Sequence, residues 1–158
     1  MSAKKKQEWN IGDLFFVKLT DGTYAMGQVL DTSIPNTASC AFFDHRQKTA
    51  IPTNCVEVTE DNVIATATVI ASHLDRGAWS VFTRCKPVLA REKWPNEATR
   101  RGGWVGSMVY SGAILEDFFN AYYCLVPWDQ FHDPQYLDRL LISPSKKPKD
   151  LMYKVARS

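Results

Sequence analysis

His45 and His132 are the two histidines with ionisable neighbours in the chain, one in Phe43-Asp44-His45-Arg46 and the other in Phe131-His132-Asp133-Pro134. An aspartate beside a histidine is raw material for acid–base chemistry, since a carboxylate orients an imidazole that titrates near neutral pH. A dyad also needs a nucleophile or substrate within hydrogen-bond reach, and neither segment carries a recognised motif. Turn and helix-flanking positions account for both, because His and Asp favour them. A hydrolase built on Asp44-His45 or His132-Asp133 is therefore the weakest functional reading. Other catalytic signatures are missing: Gly106-Ser107 and Ser111-Gly112 read as a strand edge and a helix cap, not a nucleophile elbow. Arg101-Gly102-Gly103-Trp104 lacks the spacing and the Lys-Ser/Thr of a phosphate-cradling loop. The chain is not expected to be an enzyme.

Cys40, Cys55, Cys85 and Cys124 lie 15, 30 and 39 residues apart, so no two form the close pair that shares one zinc ion. They read as reduced thiols serving as small hydrophobes. No metal and no cofactor is expected.

Tryptophan and arginine give a stronger signal. Five Trp, six Tyr and eight Phe make up 12% of the chain, more than one small core accommodates. Some are expected to face a partner. The polar stretch Ala90–Gly103 carries Trp94-Pro95 at its centre and Arg100-Arg101 near its end, and reads as a long surface loop. Loops of about this length inside compact domains are often functional, and Trp and Arg are enriched where binding energy concentrates. Trp94, Arg91, Arg100 and Arg101 are the candidate binding residues. Should Trp94 act as a lid on a sheet instead, the hairpin edge at Asp21 and Tyr24 is the next candidate; Trp104 and Trp128 pose the same choice between lid and anchor.

The elements that position these residues begin with a hairpin. Asp13–Leu19 and Tyr24–Leu30 flank Thr20-Asp21-Gly22-Thr23, whose Asp-Gly step suits a tight turn. Phe15, Val17 and Leu19 share one face of the first strand, and Leu14 and Phe16 the other, so both faces are largely apolar. Gly27 marks a bulge or a bend. Ala38–Asp44 reads as the next strand, His45–Lys48 as a polar turn and Thr49–Ile51 as a short return strand before Pro52. Val63–His73 and Trp79–Pro87 follow as strands turned at Gly77, and Trp104–Tyr110 as another extended piece. After Ser111, a plausible cap, Ile114, Leu115, Phe118, Phe119, Tyr122 and Tyr123 recur at steps of three and four, the stripe of an amphipathic helix. Asp133-Pro134 starts a shorter helix with Tyr136, Leu137, Leu140 and Leu141 inward. The fold class is α+β, mainly β: a small SH3-like curled sheet or barrel with one or two C-terminal helices packed on it.

The chain has 158 residues and a formal charge of +2, unevenly spread. Residues 1–10 carry three Lys against one Glu and residues 146–158 five Lys/Arg against one Asp, whereas residues 11–145 hold eleven Lys/Arg and fifteen Asp/Glu, a net −4. The expected organisation is a basic N-terminal tail over 1–9, a single domain over 10–145 and a basic C-terminal tail over 146–158, with both tails solvated. A mildly acidic body argues against a dedicated nucleic-acid fold. No stretch is apolar enough to span a bilayer and the N-terminus lacks a signal segment, so the expected location is the cytosol.

Ile11-Gly12-Asp13-Leu14-Phe15 through Asp21–Leu30 resembles the opening hairpin of the bacterial Immunity protein 26 family. Gly77-Ala78-Trp79-Ser80-Val81 with Lys86-Pro87 resembles its second marker, and Asn120–Asp129 with Asp133–Asp138 resembles segments of its relatives. The resemblance implies a cytosolic protein of a polymorphic-toxin system that binds a cognate protein toxin and neutralises it by occlusion. It carries over no catalytic residue and names no toxin. The alternative is an SH3-like module for nucleic acid or nucleotides, with Arg84, Arg91, Arg100 and Arg101 along one rim; a shared fold alone is weak support for it.

Overall fold

The computed structural model describes residues 6–51 and 58–154. Five antiparallel strands form one sheet in the order β4-β3-β2-β1-β5: β1 Asp13–Lys18, β2 Tyr24–Asp31, β3 Thr37–Gln47, β4 Val63–Ile70 and β5 Ser80–Arg84. Its two edges do not meet, so of the two forms expected the open, curled sheet is the one formed. Register shifts in three of the four strand pairings supply local bends. The first hairpin closes as its sequence dictates, with Leu19 N donating to Thr23 O at 2.8 Å, Gly22 at φ +84° and the Asp21 carboxylate accepting from Thr23 N at 3.0 Å.

Both faces of β1 and β2 are buried, and each covers a separate core. Phe15, Val17, Val29, Phe42 and Val69 pack with Trp79 and with helix α2, Gly112–Tyr122, through Leu115, Phe118 and Phe119, while Trp128 closes this layer from below. Leu14, Phe16, Met26, Leu30 and Phe43 point the other way, against Leu89 and the half-buried Phe82, Val88 and Trp94. This two-sided burial is the consequence of the doubly apolar first strand. Gln28 is buried within it and fully employed, its Nε2 donating to Gly12 O, Cys85 O and Lys86 O at 3.1–3.2 Å while its Oε1 accepts from Val88 N at 3.0 Å. One amide thus staples the segment after β5 onto the second face.

Helix α2 starts at Ser111 as expected, although the serine side chain makes no capping bond. It ends in a Schellman pair, Cys124 N to Ala121 O at 3.0 Å and Leu125 N to Asn120 O at 2.7 Å, with Cys124 taking the left-handed position at φ +62° that glycine usually fills.

Several local expectations are corrected. Gly27 sits in register between Phe15 and Phe42, and the shifts lie to either side of it. What requires glycine there is the Phe15 ring, since an added Cβ would lie 2.6 Å from its Cζ. His45–Gln47 continue β3 instead of turning, because Gln47 pairs with Tyr24; Thr49–Ile51 form no strand. Val63–His73 is strand only to Ile70 and then turns through the short helix α1, Ser72–Asp75. Trp104–Tyr110 is a turn-rich loop, with Gly103, Trp104 and Gly106 at positive φ and Tyr110 alone bridging to Val69. The second helix shortens to a 3₁₀ turn over Leu137–Leu140, its two leucines buried as expected. Cys55 lies outside the described residues.

Individual residues of both basic ends are docked on the domain, while Lys6, Lys149 and Lys154 stay exposed. Gln7 donates to Leu74 O and Trp79 O, each at 2.8 Å, and accepts from Val81 N at 3.0 Å along the outer edge of β5. At the other end Leu151 joins the first core at 9% exposure and Met152 O accepts from Trp128 N at 2.8 Å. Lys147 pairs with Asp138 at 2.9 Å and lies over the Trp128 ring. Lysine density announces solvent, but here Lys147 finds a carboxylate while the apolar Leu151 docks.

Candidate functional site

The segment from Ala90 to Gly103 is built from two 3₁₀ turns, Arg91–Lys93 and Glu97–Gly102, and lies over the second face of the sheet. Trp94 is half-buried against that core and donates from Nε1 to Leu89 O at 2.9 Å, the geometry of a cover. Glu97 is the hub for the arginines. Its Oε1 accepts from Arg91 Nε at 3.2 Å and Arg100 Nε at 2.9 Å, its Oε2 from Arg100 Nη2 at 2.9 Å. Arg100 reaches on to Asp31 Oδ2 at 2.7 Å and Ser33 Oγ at 3.2 Å, and stacks on the half-buried Trp104 ring at 4.6 Å. The Arg100 bonds come first among the causes that hold Glu97 below the usual carboxylate range. Burial pushes Asp31 up, but bonds from Ser33, Arg100 and Thr32 outweigh it and leave the carboxyl lowered. Arg101 faces solvent with no ion pair among the described residues.

Arg91, Trp94, Arg100 and Arg101 therefore share one loop, whereas Asp21 and Tyr24 lie at the opposite end of β2 from Asp31. Asp21 is bonded to Arg46 and Thr23, and the half-buried Tyr24 packs edge-on against Phe16 at 6.0 Å. The six expected binding residues form two surfaces, not one.

Asn96, which the sequence did not single out, ties the loop together. At φ +62° it donates to Thr68 Oγ1 and Met108 O, each at 2.8 Å, and accepts from Met108 N at 3.0 Å. Thr99 Oγ1 meets Ser107 Oγ at 2.6 Å, and Trp104 N donates to Thr99 O at 2.9 Å. The continuation is thereby fixed, and it displays Val105, Met108 and Val109 to solvent. The stretch reads as extended from its Val, Met and Tyr residues; the glycines at 102, 103 and 106 were the signal that it is not a strand.

Neither His-Asp pair builds a dyad. Successive residues of a strand face opposite ways, so His45 Nε2 meets Gln47 Oε1 at 2.7 Å while Asp44 accepts from Tyr123 OH at 3.1 Å. Burial first, and then Asp44, push the Tyr123 phenol up, as they push Tyr122 to about 12, so both phenols keep their protons at neutral pH. Asp133 is engaged by Gln135 N at 2.9 Å and Arg139 at 2.5 Å beside an exposed His132. His73, passed over in the sequence, is buried with Nε2 3.3 Å from Glu116 Oε1 and its ring tilted on Trp79. Gly112 makes room for it, since a Cβ there would come within 2.5 Å of the imidazole.

A cleft of about 590 Å³ runs between Glu60, Asp61, Lys93 and Lys146, over Val63, Leu141 and Ile142. Lys93 is paired there with the Glu60 carboxylate and Lys146 donates to the Asp61 backbone carbonyl, both at 2.7 Å. Among the described residues no cluster of three or more His, Cys, Asp or Glu is placed to hold a metal ion, and no helix is long and apolar enough to cross a membrane.

No curated protein and no solved structure matches the chain. The family described as Immunity protein 26 matches residues 10–103, a stretch that holds the whole sheet, α1 and the Glu97 hub, and contains the first two of the three resembling segments but not Asn120–Asp138. With more than half its length inside that match, the chain belongs to the Immunity protein 26 family.

Proposed function

We propose that this chain is a cytosolic immunity protein that binds a bacterial protein toxin and neutralises it by occlusion. The family match over residues 10–103 carries the reading. Supporting it, the sheet is covered on both faces and carries an arginine-bearing loop on one side, a fixed platform of the kind binding surfaces use. The contact surface is the outer side of the 90–103 loop, where Arg91 and Arg101 face solvent, with Arg100 presenting Trp104 and Trp94 holding the loop from beneath. Asp21 and Tyr24 form a second surface at the hairpin. The nucleic-acid alternative is weakened because Arg91, Arg100 and Arg84 are bonded to Glu97, Asp31 and Asp13 and so present little free positive charge to phosphates.

The test is co-expression with the product of the neighbouring gene, scored by growth and by size-exclusion chromatography. Occlusion predicts protection that needs at least one chain per toxin, a stoichiometric complex, and intact, active toxin recovered after the complex is unfolded and separated. Protection by far fewer chains than toxin molecules, or recovery of a cleaved or modified toxin, would refute it.

A further inference from the structure

Four of the seven exposed large apolar side chains among the described residues lie on, or are bridged to, the stretch that follows the arginine loop. Val105 is 82% exposed, Met108 60%, Ile70 48% and Val109 41%. Tyr110 bridges to Val69, and Ile70 N donates to Tyr110 O at 2.9 Å, so strand alternation puts Ile70 and Val109 on the same side of that junction. Met108 adjoins Val109 in the chain and Val105 stands three residues before Met108 on the same loop, so the four exposed side chains gather about this junction. Apolar groups gathered like this on a soluble domain mark contact sites.

This patch is also held still. Asn96 grips Met108 through both its backbone groups, Thr99 grips Ser107, and Arg100 lies on the ring of Trp104. Trp104 itself stands at φ +70°, a conformation costly for a bulky residue and kept only where the surroundings impose it. A preorganised apolar surface loses little conformational entropy when it binds.

Resting on the immunity reading above, we infer that Ile70, Val105, Met108 and Val109 form the centre of the toxin contact, with Arg101 on its rim. The partner surface is then an apolar hollow bordered by carboxylates. A second copy of this chain is a poorer occupant, because a two-fold contact would bring up this same surface, whose four apolar residues offer Arg101 no carboxylate. Val105, Met108 and Val109 follow directly after the family-matched stretch, a suitable place for partner-specific residues on a shared scaffold.

The probe is the product of the neighbouring gene, purified with a catalytically disabled active site. Val105→Asp and Met108→Asp are each expected to weaken its binding at least tenfold at unchanged melting temperature, with Val105→Ser weakening it less. Arg101→Glu is expected to slow association most at low salt. Ile51→Asp is the control: Ile51 lies past the far end of β3, about 30 Å away at the usual rise per residue, and is expected to change nothing. Wild-type binding by both Asp variants would overturn the patch while leaving the immunity reading intact. Failure of the wild-type chain to bind or protect would overturn both. A concentration-dependent dimer of the wild type that Met108→Asp dissolves would assign the patch to a second copy and overturn the toxin assignment.

Discussion

Replacing Gly27 by alanine tests the packing of the first core at a single methyl group. The new Cβ would lie 2.6 Å from Phe15 Cζ, 2.9 Å from Phe15 Cε2 and 3.1 Å from the Ala41 carbonyl oxygen. Ordinary contact needs about 3.5–4.0 Å, so the ring must retreat by roughly 1 Å. It has no free direction: Phe15 stacks on Trp79 with centroids 5.0 Å apart and 3° between planes, and Phe42 meets it edge-on at 6.1 Å. Forced overpacking of this kind costs about 1–3 kcal/mol, against roughly 0.5–1 kcal/mol regained because alanine restricts the unfolded chain more than glycine. The net expectation is a loss of about 1–2 kcal/mol, read as a lower midpoint in urea at unchanged slope. Phe15→Leu in the same background removes the clashing atoms, so the two substitutions together are expected to cost less than the sum of their separate costs. A Gly27→Ala protein as stable as the parent, or an additive pair, would refute the argument and return Gly27 to a purely conformational role.

Trp94→Ala is expected to lower stability by about 2–3 kcal/mol, since half of a large aromatic side chain leaves the second core, while changing affinity for the toxin little; calorimetry and titration separate the two. Truncation after Lys147 removes Leu151 from the first core and deprives Trp128 N of its acceptor, for an expected loss of at least about 3 kcal/mol; a melting temperature within about 2 °C of the parent would refute this docking. Asp31 has a lowered pKa in the folded state, so its contribution is fully present above the ordinary aspartate range and is lost as pH falls below about 4. Asp31→Asn is accordingly expected to flatten the acid limb of the stability curve, and an unchanged limb would show that the bonds from Ser33, Arg100 and Thr32 to this carboxylate contribute nothing.

The hairpin, its Asp-Gly turn and the amphipathic helix after Ser111 were legible in the sequence because each is decided locally, by backbone sterics at Gly22 or by the period of Leu115, Phe118 and Phe119. The apolar character of both faces of β1 was legible likewise; that each face carries its own cover came with the structure. What the sequence left open was which residues do the covering and what is left outside. Gln28 reads as a polar strand residue, yet four long-range bonds bury it; Gly27 reads as a bend, yet a ring from the neighbouring strand requires it. The candidate site follows the same division. Composition drew attention to Trp94, Arg91, Arg100 and Arg101, but only the tertiary structure assigns Glu97 to two of those arginines, turns Trp94 toward the core, and leaves Val105 and Met108 in solvent. Exposure is a property of neighbours brought from elsewhere in the chain, here Asn96 and Thr68 beneath the loop, and no local pattern encodes it.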